Sequence, residues 1–422
     1  MKNIQKIMTV VFGMMCLLFS MILLLSCDKG KDPNPDTDPS DLPELVVTAS
    51  SIDVDEGEEV TFEVKAEGKV VTADIYVGSE KINGTKHTFT QSGTYKVMAK
   101  KNDHLESNEI TIDVYAIDVY VSGNGPEGAL YWKNGILASL GEDVPTNALG
   151  ITVDKGDVYI AGTALVNGTP SARYWKNGTA VSLSDKYSVA KSILVQGSDI
   201  YVVGFEVEDG VAVAKYWKNG MAVSLSDGIR HHEASSIAVY NGDVYVAGFD
   251  NVNASKPIAK YWKNGVEVAL SEEANAAQAL GVAVVGGKVH VAGWENKGTG
   301  QVAMHWVDGV STLLGTENIL STVAGIATQH NDIYIAGAEV ESTKSVAKYW
   351  KNGTAISLSD GSRDEMATAI TVSNGNTYVA GYEYGGGGKN VAKYWKNGTA
   401  VTLTDEDGAG VTASGLAVVR RK

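Results

Sequence analysis

The chain has 422 residues, of which 44% are hydrophobic, with a formal net charge of −15 and two cysteines. Such a charge repels phosphate backbones and anionic lipid surfaces, which excludes nucleic acid as a partner. Both cysteines, Cys16 and Cys27, lie within the first 27 residues, so no disulfide framework or cysteine metal site is available to anything downstream.

Lys2 and Lys6 precede an apolar run from Met8 to Leu25. A basic start followed by an apolar core describes a secretory leader. Leu24-Leu25-Ser26-Cys27 closes the run and resembles the lipobox of bacterial lipoproteins at every position of the box. The resemblance implies a signal peptide over residues 1–26, removed before Cys27, and acyl chains on Cys27 that hold the body at a membrane. Each buried CH₂ of such a chain contributes about 0.8 kcal/mol. Loss of Lys2 and Lys6 takes the net charge from −15 to −17, because residues 1–26 contain no Asp or Glu. Residues 27–43 hold four of the eight prolines among many aspartates, the composition of a solvated tether. The expected location is the cell envelope, at the outer membrane or cell surface in preference to the inner membrane.

Over residues 44–116 short runs such as Val60-Thr61-Phe62-Glu63-Val64 and Ile110-Thr111-Ile112-Asp113-Val114 alternate apolar and polar residues, the period of half-buried antiparallel strands. Ser92-Gly93-Thr94-Tyr95-Lys96-Val97 followed by residues 110–114 resembles the closing strands of bacterial immunoglobulin-like domains. The resemblance implies a small β-sandwich serving as a spacer. His87 and His104 read as surface residues there.

From residue 117 onward the chain is organised by repetition. Trp132, Trp175, Trp217, Trp262, Trp306, Trp350 and Trp395 follow at intervals of 43, 42, 45, 44, 44 and 45 residues, most of them within Tyr-Trp-Lys-Asn-Gly. Each unit holds four strand-length segments, typified by Ser236 to Val239, Asp243 to Gly248, a segment ending in Tyr-Trp, and Ala222 to Leu225. Asn-Gly between the third and fourth segments supplies the two positive φ angles of a type I′ hairpin. A four-stranded meander repeated seven times is the pattern of a β-propeller. The series opens on a second-strand segment at Asp118 and ends on a lone first-strand segment at Ala413 to Val418, so the last strand is expected to complete the first blade. The fold class is therefore all-β, a seven-bladed β-propeller over residues 117–422 preceded by the immunoglobulin-like sandwich. The order of segments also resembles the HAF repeats of bacterial extracellular proteins, which implies the same architecture and leaves activity open.

Variable links on one face of such a ring are where binding is expected, the tight hairpins lying on the other. A register at the start of the longer links, Phe205-Glu206, Phe249-Asp250, Trp294-Glu295, Ala338-Glu339 and Tyr382-Glu383, reads in two ways. As a rim of rings and carboxylates it suits sugar faces and hydroxyls, or a basic protein; as a packing consensus, the rings sit between blades and the acids face water. The fifth unit departs most, with His290 and His305 replacing the consensus tyrosines, either as a stacked pair in the blade interior or as metal ligands. His231-His232 has no matching acidic cluster in sequence and reads as surface. Asp364-Glu365 and Asp405-Glu406-Asp407 lie in solvated turns, and Gly385 to Gly388 lacks the lysine and helix of a phosphate loop.

The expected function is that of a membrane-anchored extracytoplasmic lipoprotein, binding a glycan or protein at the propeller loop face, with no cofactor or metal. Two alternatives stand beside it. One is a carbohydrate-active enzyme, a lyase or hydrolase, for which Glu295 with His305 is the only acid–base set; the other is a structural envelope component.

Overall fold

Small residues at fixed positions dictate how the sheets of this chain assemble. A computed structural model describes residues 42–422 apart from 141–145, 252–255, 273–274, 299, 386–388 and 405–409. Cys27, the expected signal peptide and nearly all of the proline-rich stretch lie outside the described residues. Among the described residues no helix is long and apolar enough to cross a membrane.

Backbone contacts divide the described residues into two compact units, one of residues 42–50, 61–87 and 96–111, the other of residues 51–60, 88–95 and 112–422. In the first, Leu45–Ala49 pairs antiparallel with Glu59–Ala66, and Asp74–Val77 with Gly93–Lys100. The period-two pattern works as expected there, burying Leu45, Val47, Phe62, Val64, Ile75, Val97 and Ala99 while the alternate residues face out.

The second unit is a seven-bladed β-propeller. Six four-stranded antiparallel sheets run in simple sequence order, from Thr146–Asp154 of blade 2 to Thr399–Thr402 of blade 7. Blade 1 is composite: Ile110–Gly125 pairs with Gly128–Lys133 on one side and with the last strand, Thr412–Arg421, on the other. Leu416 stands opposite Val121 and Val418 opposite Val119, so the ring closes as its segment order foretold. First strands of successive blades touch one another all the way round, with Thr412–Arg421 between those of blades 7 and 2.

That crowding explains the small-residue segment. A Cβ on Gly150 of blade 2 would lie 2.9 Å from the Ser192 Cα of blade 3, closer than real side chains approach. The glycine of the second strand has a different cause: a Cβ on Gly204 would meet the Val189 carbonyl oxygen at 1.8 Å, where the first strand bulges between Ala190 and Ser192. Each blade's tryptophan fills the space between neighbouring sheets and is fully buried, as Trp217 is among Tyr159, Ala161, Ala190 and Val202. Hairpins on the opposite face are fastened by the asparagine of Asn-Gly. Asn219, at φ 51°, accepts from the Ile200 N–H at 2.8 Å and donates to Asp199 at 2.9 Å.

Candidate functional site

The five acids of the register do not stand open to water. Glu206, Asp250, Glu295, Glu339 and Glu383 are all buried, which departs from both sequence readings. The physical reason is a partner on the next strand: the residue two before the tryptophan is a lysine in four of these blades. Lys215 reaches Glu206 at 2.8 Å, Lys260 reaches Asp250 at 3.1 Å, Lys348 reaches Glu339 at 2.5 Å and Lys393 reaches Glu383 at 2.7 Å. At Glu206, Glu339 and Glu383 burial would raise the carboxyl, but the ammonium and neighbouring donors outweigh it. Glu206, which also accepts from the Ser184 hydroxyl at 2.6 Å, is held at about 2, and Glu339 and Glu383 are held below the usual glutamate range. Blade 5 has Met304 in the lysine position, and its Glu295 turns to Asn275 at 3.1 Å and Lys297 at 3.3 Å instead.

Rings and acids are also on opposite faces of each sheet, because adjacent strand residues must alternate. Phe249 is buried, whereas Phe205, Trp294 and Tyr382 are half-buried. Lys191 of blade 3 lies 5.7 Å from the Phe205 ring centroid and 5.5 Å from that of Phe249, a cation between rings of two blades. Tyr382 packs edge-on to Tyr384 at 5.0 Å. The same alternation separates Glu295 from His305. Ala292 stands opposite His305 and Glu295 opposite Val302, which puts the two side chains on different faces of blade 5 and removes them as one acid–base set.

Among the described residues, one junction gathers a histidine and a second acid around the acid–lysine pair, and the sequence alone passed over it. Between blades 3 and 4, at the link leading into His231–Tyr240, is a cleft of about 630 Å³ lined by Ser226, Asp227, Arg230, His232, Asp250, Lys260 and Glu267 among others. His232 is buried, contrary to the surface reading, while His231 is exposed. Register shows why it is special. The residue opposite the acid is Ser188, Ala277, Ser321 or Glu365 in the other acid-bearing blades and His232 only in blade 4. The residue opposite the tryptophan is Ala180, Ala222, Ala355, Ala400, Ser311 or Leu137 elsewhere and Glu267 only here.

Both single-copy residues converge on the Asp250–Lys260 pair. Lys260 Nζ donates to Glu267 at 2.7 Å as well as to Asp250 Oδ2. His232 Nδ1 is 2.9 Å from the Arg230 carbonyl, which can only accept, so Nδ1 carries the proton and Nε2 presents its lone pair. That nitrogen is 3.5 Å from Lys260 Nζ, 3.7 Å from Asp250 and 3.9 Å from Glu267. Asp250 is one methylene shorter than the glutamate of the other blades, and Ser226 is turned to accept from the Ala214 N–H of its own blade. Among the described residues, Asp250 Oδ1 is consequently buried with no hydrogen-bond partner. A buried carboxylate oxygen without a donor is costly, and its presence marks a place where a donor from outside would be stabilising.

In blade 5 the histidines form a pair, stacked with centroids 5.2 Å apart and His290 Nδ1 3.1 Å from His305 Nε2. No group of three or more His, Cys, Asp or Glu able to hold a metal occurs among the described residues. Burial pushes both imidazoles down, His305 to about 4 with a smaller contribution from His290. A histidine depressed in the folded state binds fewer protons than in the unfolded chain, so stability is full above the unfolded value near 6.5 and falls as the pH drops toward 4. The expected cost over that window is on the order of 3 kcal/mol. Thermal melts between pH 7 and 4 should show it, and His290→Tyr/His305→Tyr, which restores the tyrosines of other blades, should remove it. An unchanged pH slope in the double variant would assign the acid sensitivity elsewhere.

No protein-family model and no curated protein matches the chain. Among solved structures it is similar to a puromycin-hydrolyzing peptidase of Mycobacterium tuberculosis at 10% identity and TM-score 0.48, over 68% of this chain and 51% of that one. The chain thus spans about half the length of that peptidase. It is similar to the β-propeller domain of the trilobed protease from Pyrococcus furiosus at 12% identity and TM-score 0.41, over 87% and 98% of the two chains. A polysaccharide lyase matches at 11% identity and TM-score 0.40, over 74% of this chain and 85% of the lyase. The protease propeller is described as having an open velcro topology, whereas here the last strand closes blade 1. The propeller assignment of this chain rests on its own strand order and register.

Proposed function

We propose that this chain is a lipid-anchored protein of the bacterial cell envelope, at the outer membrane or cell surface, whose propeller loop face binds a glycan or a protein. The box ending at Cys27 supports acylation there, and the Asp- and Pro-rich residues after it support a tether. The alternating strands of residues 44–116 support an immunoglobulin-like spacer, and the segment order supports HAF-like repeats. The observation that carries the binding role is the cleft between blades 3 and 4, where His232 and Glu267, each at a position that holds other residues in the other blades, gather around the Asp250–Lys260 pair, and Asp250 keeps one buried oxygen without a donor among the described residues.

Full-length protein in detergent, screened on a glycan array and against envelope proteins, is expected to retain a ligand. Asp250→Asn should weaken that ligand by about tenfold, since a charged acceptor becomes a neutral amide. Equal binding by the variant would remove the cleft from the reading. The convergence of an imidazole, an ammonium and two carboxylates also supports a second reading, a carbohydrate-active enzyme, because such a set includes both proton donors and acceptors. Product analysis after incubation separates the two: intact glycan recovered from the complex supports binding, and shortened chains support a lyase or hydrolase.

A further inference from the structure

Resting on that reading, we infer that the blade 3–4 cleft takes a neutral, hydroxyl-rich sugar and discriminates against acidic, sulfated and amino sugars. The argument starts from charge. Two cations, Lys260 and Arg230, and three anions, Asp250, Glu267 and Asp227, line the same small space, and they are interleaved rather than segregated. Lys260 lies between Asp250 and Glu267, and Arg230 Nη1 is 3.6 Å from Asp250 Oδ2. A carboxylate or sulfate entering here meets Asp250 and Glu267 at close range, and an ammonium meets Lys260. Either charge would have to displace an existing ion pair in a desolvated wall, where like-charge contact is expensive. A hydroxyl carries no such penalty.

Hydrogen-bond roles point the same way. Asp250 Oδ1 requires a donor, and His232 Nε2, with Nδ1 already committed to the Arg230 carbonyl, also accepts. Lys260 and Arg230 donate. A ligand group that both gives and accepts fits between them, and adjacent sugar hydroxyls do this at each carbon. Asp250 Oδ1 sits within the wall of the cleft rather than at its surface. The terminal torsion of an aspartate has broad minima, so turning the carboxylate toward an incoming hydroxyl is a small motion. No Phe, Tyr or Trp lines the cleft among the described residues, and His232 is engaged through its ring nitrogens, so recognition there is by hydroxyl pattern rather than ring stacking. The net charge of −15 adds long-range repulsion of polyanionic glycans.

The other blades provide the control. His232→Ser with Glu267→Ala writes into blade 4 the residues that blade 3 carries at the same positions, Ser188 and Ala222, so the double variant should fold and melt like the parent. Full-length protein is titrated calorimetrically with neutral hexose and pentose oligosaccharides, and with uronate-, sulfate- and glucosamine-containing oligosaccharides of matched length. The expected result is binding of at least one neutral series, charged counterparts weaker by about tenfold or more, and loss of about tenfold in the double variant at an unchanged melting temperature. Tighter binding of a charged series, itself lost in the double variant, would overturn the neutral preference while leaving glycan recognition at the cleft standing. Neutral binding that is the same in parent and double variant would overturn the site. Failure of every saccharide to bind would overturn this inference together with the glycan reading beneath it.

Discussion

A chain ending at residue 410 is expected to lose cooperative folding of the propeller. The missing segment supplies the inner strand of blade 1, paired in register with residues 116–124. Ala413 and Leu416 lie with Val119, Val121 and Trp132 of blade 1 and Tyr378, Ala380 and Leu403 of blade 7 in one buried cluster. Without them that cluster opens to water, and a full strand edge is left unpaired at the ring's seam. Because first strands touch around the whole circle, the loss is not confined to one blade. The expected penalty is of the order of the entire stability of a domain, roughly 5–15 kcal/mol, larger than any single substitution here. Size-exclusion chromatography and thermal denaturation check it: aggregation or a broad, low transition is expected, with recovery on adding a peptide of residues 410–422. A monomeric truncated chain melting within a few degrees of the parent would mean that closure is dispensable.

Lys348→Ala should destabilise blade 6 by about 3–5 kcal/mol, because it leaves Glu339 charged, buried and without its cation. The parent geometry is tight: Lys348 Nζ is 2.5 Å from Glu339 Oε2 and 2.7 Å from Glu341, and the Thr316 N–H donates to Glu339 at 2.6 Å. Most of that cost belongs to the stranded charge and not to the pair. Glu339→Leu with Lys348→Met should therefore recover the greater part, and blade 5 already accommodates Met304 at the lysine position. Acid titration provides the sign. In the parent, Glu339 is held below the usual range despite burial, so its contribution is complete above the unfolded value near 4.3 and is lost as the pH falls through the folded one. In Lys348→Ala the ammonium is gone and only the Thr316 donors still oppose burial, so the balance moves toward protonation and the deficit should shrink as the pH is lowered toward 5. Chemical denaturation at pH 7 and pH 5 measures this, and a deficit that grows on acidification would contradict the stranded-charge explanation.

The His290–His305 pair and the acid–lysine pairs occupy different pH windows. Neutral histidines weaken the fold between about 6.5 and 4, whereas paired glutamates release their contribution below about 4.5, toward 2 for Glu206. Two separable acid transitions follow from one architecture.

How much of this was legible differs between the ring and its site. Blade number, strand order, the Asn-Gly hairpins and closure by the last strand were all readable because they depend on local periodicity and on the order of repeated segments. Glu206, Asp250, Glu295, Glu339 and Glu383 were also found as a register, but their environment was misjudged. Sequence shows that an acid recurs after the glycine and not that a lysine on the next strand, some ten residues later, lies against it. A signal was present: the lysine two before the tryptophan recurs in four of the five acid-bearing blades, and only blade 5, which keeps Glu295, has Met304 there instead.

His232 was passed over for a deeper reason. In sequence it stands 18 residues before Asp250, 28 before Lys260 and 35 before Glu267, on four different strands. Linear spacing carries no trace of that meeting, since only the pairing register across the four strands of blade 4 brings them together. Local residue chemistry by itself determined the repeated blade, its count and its seam, because hairpins and strand alternation are satisfied within a few residues. Tertiary structure alone decided which recurring charges are neutralised in the wall between sheets and which single junction keeps an unsatisfied one, because burial and partnership are properties of neighbours that the chain brings back from afar.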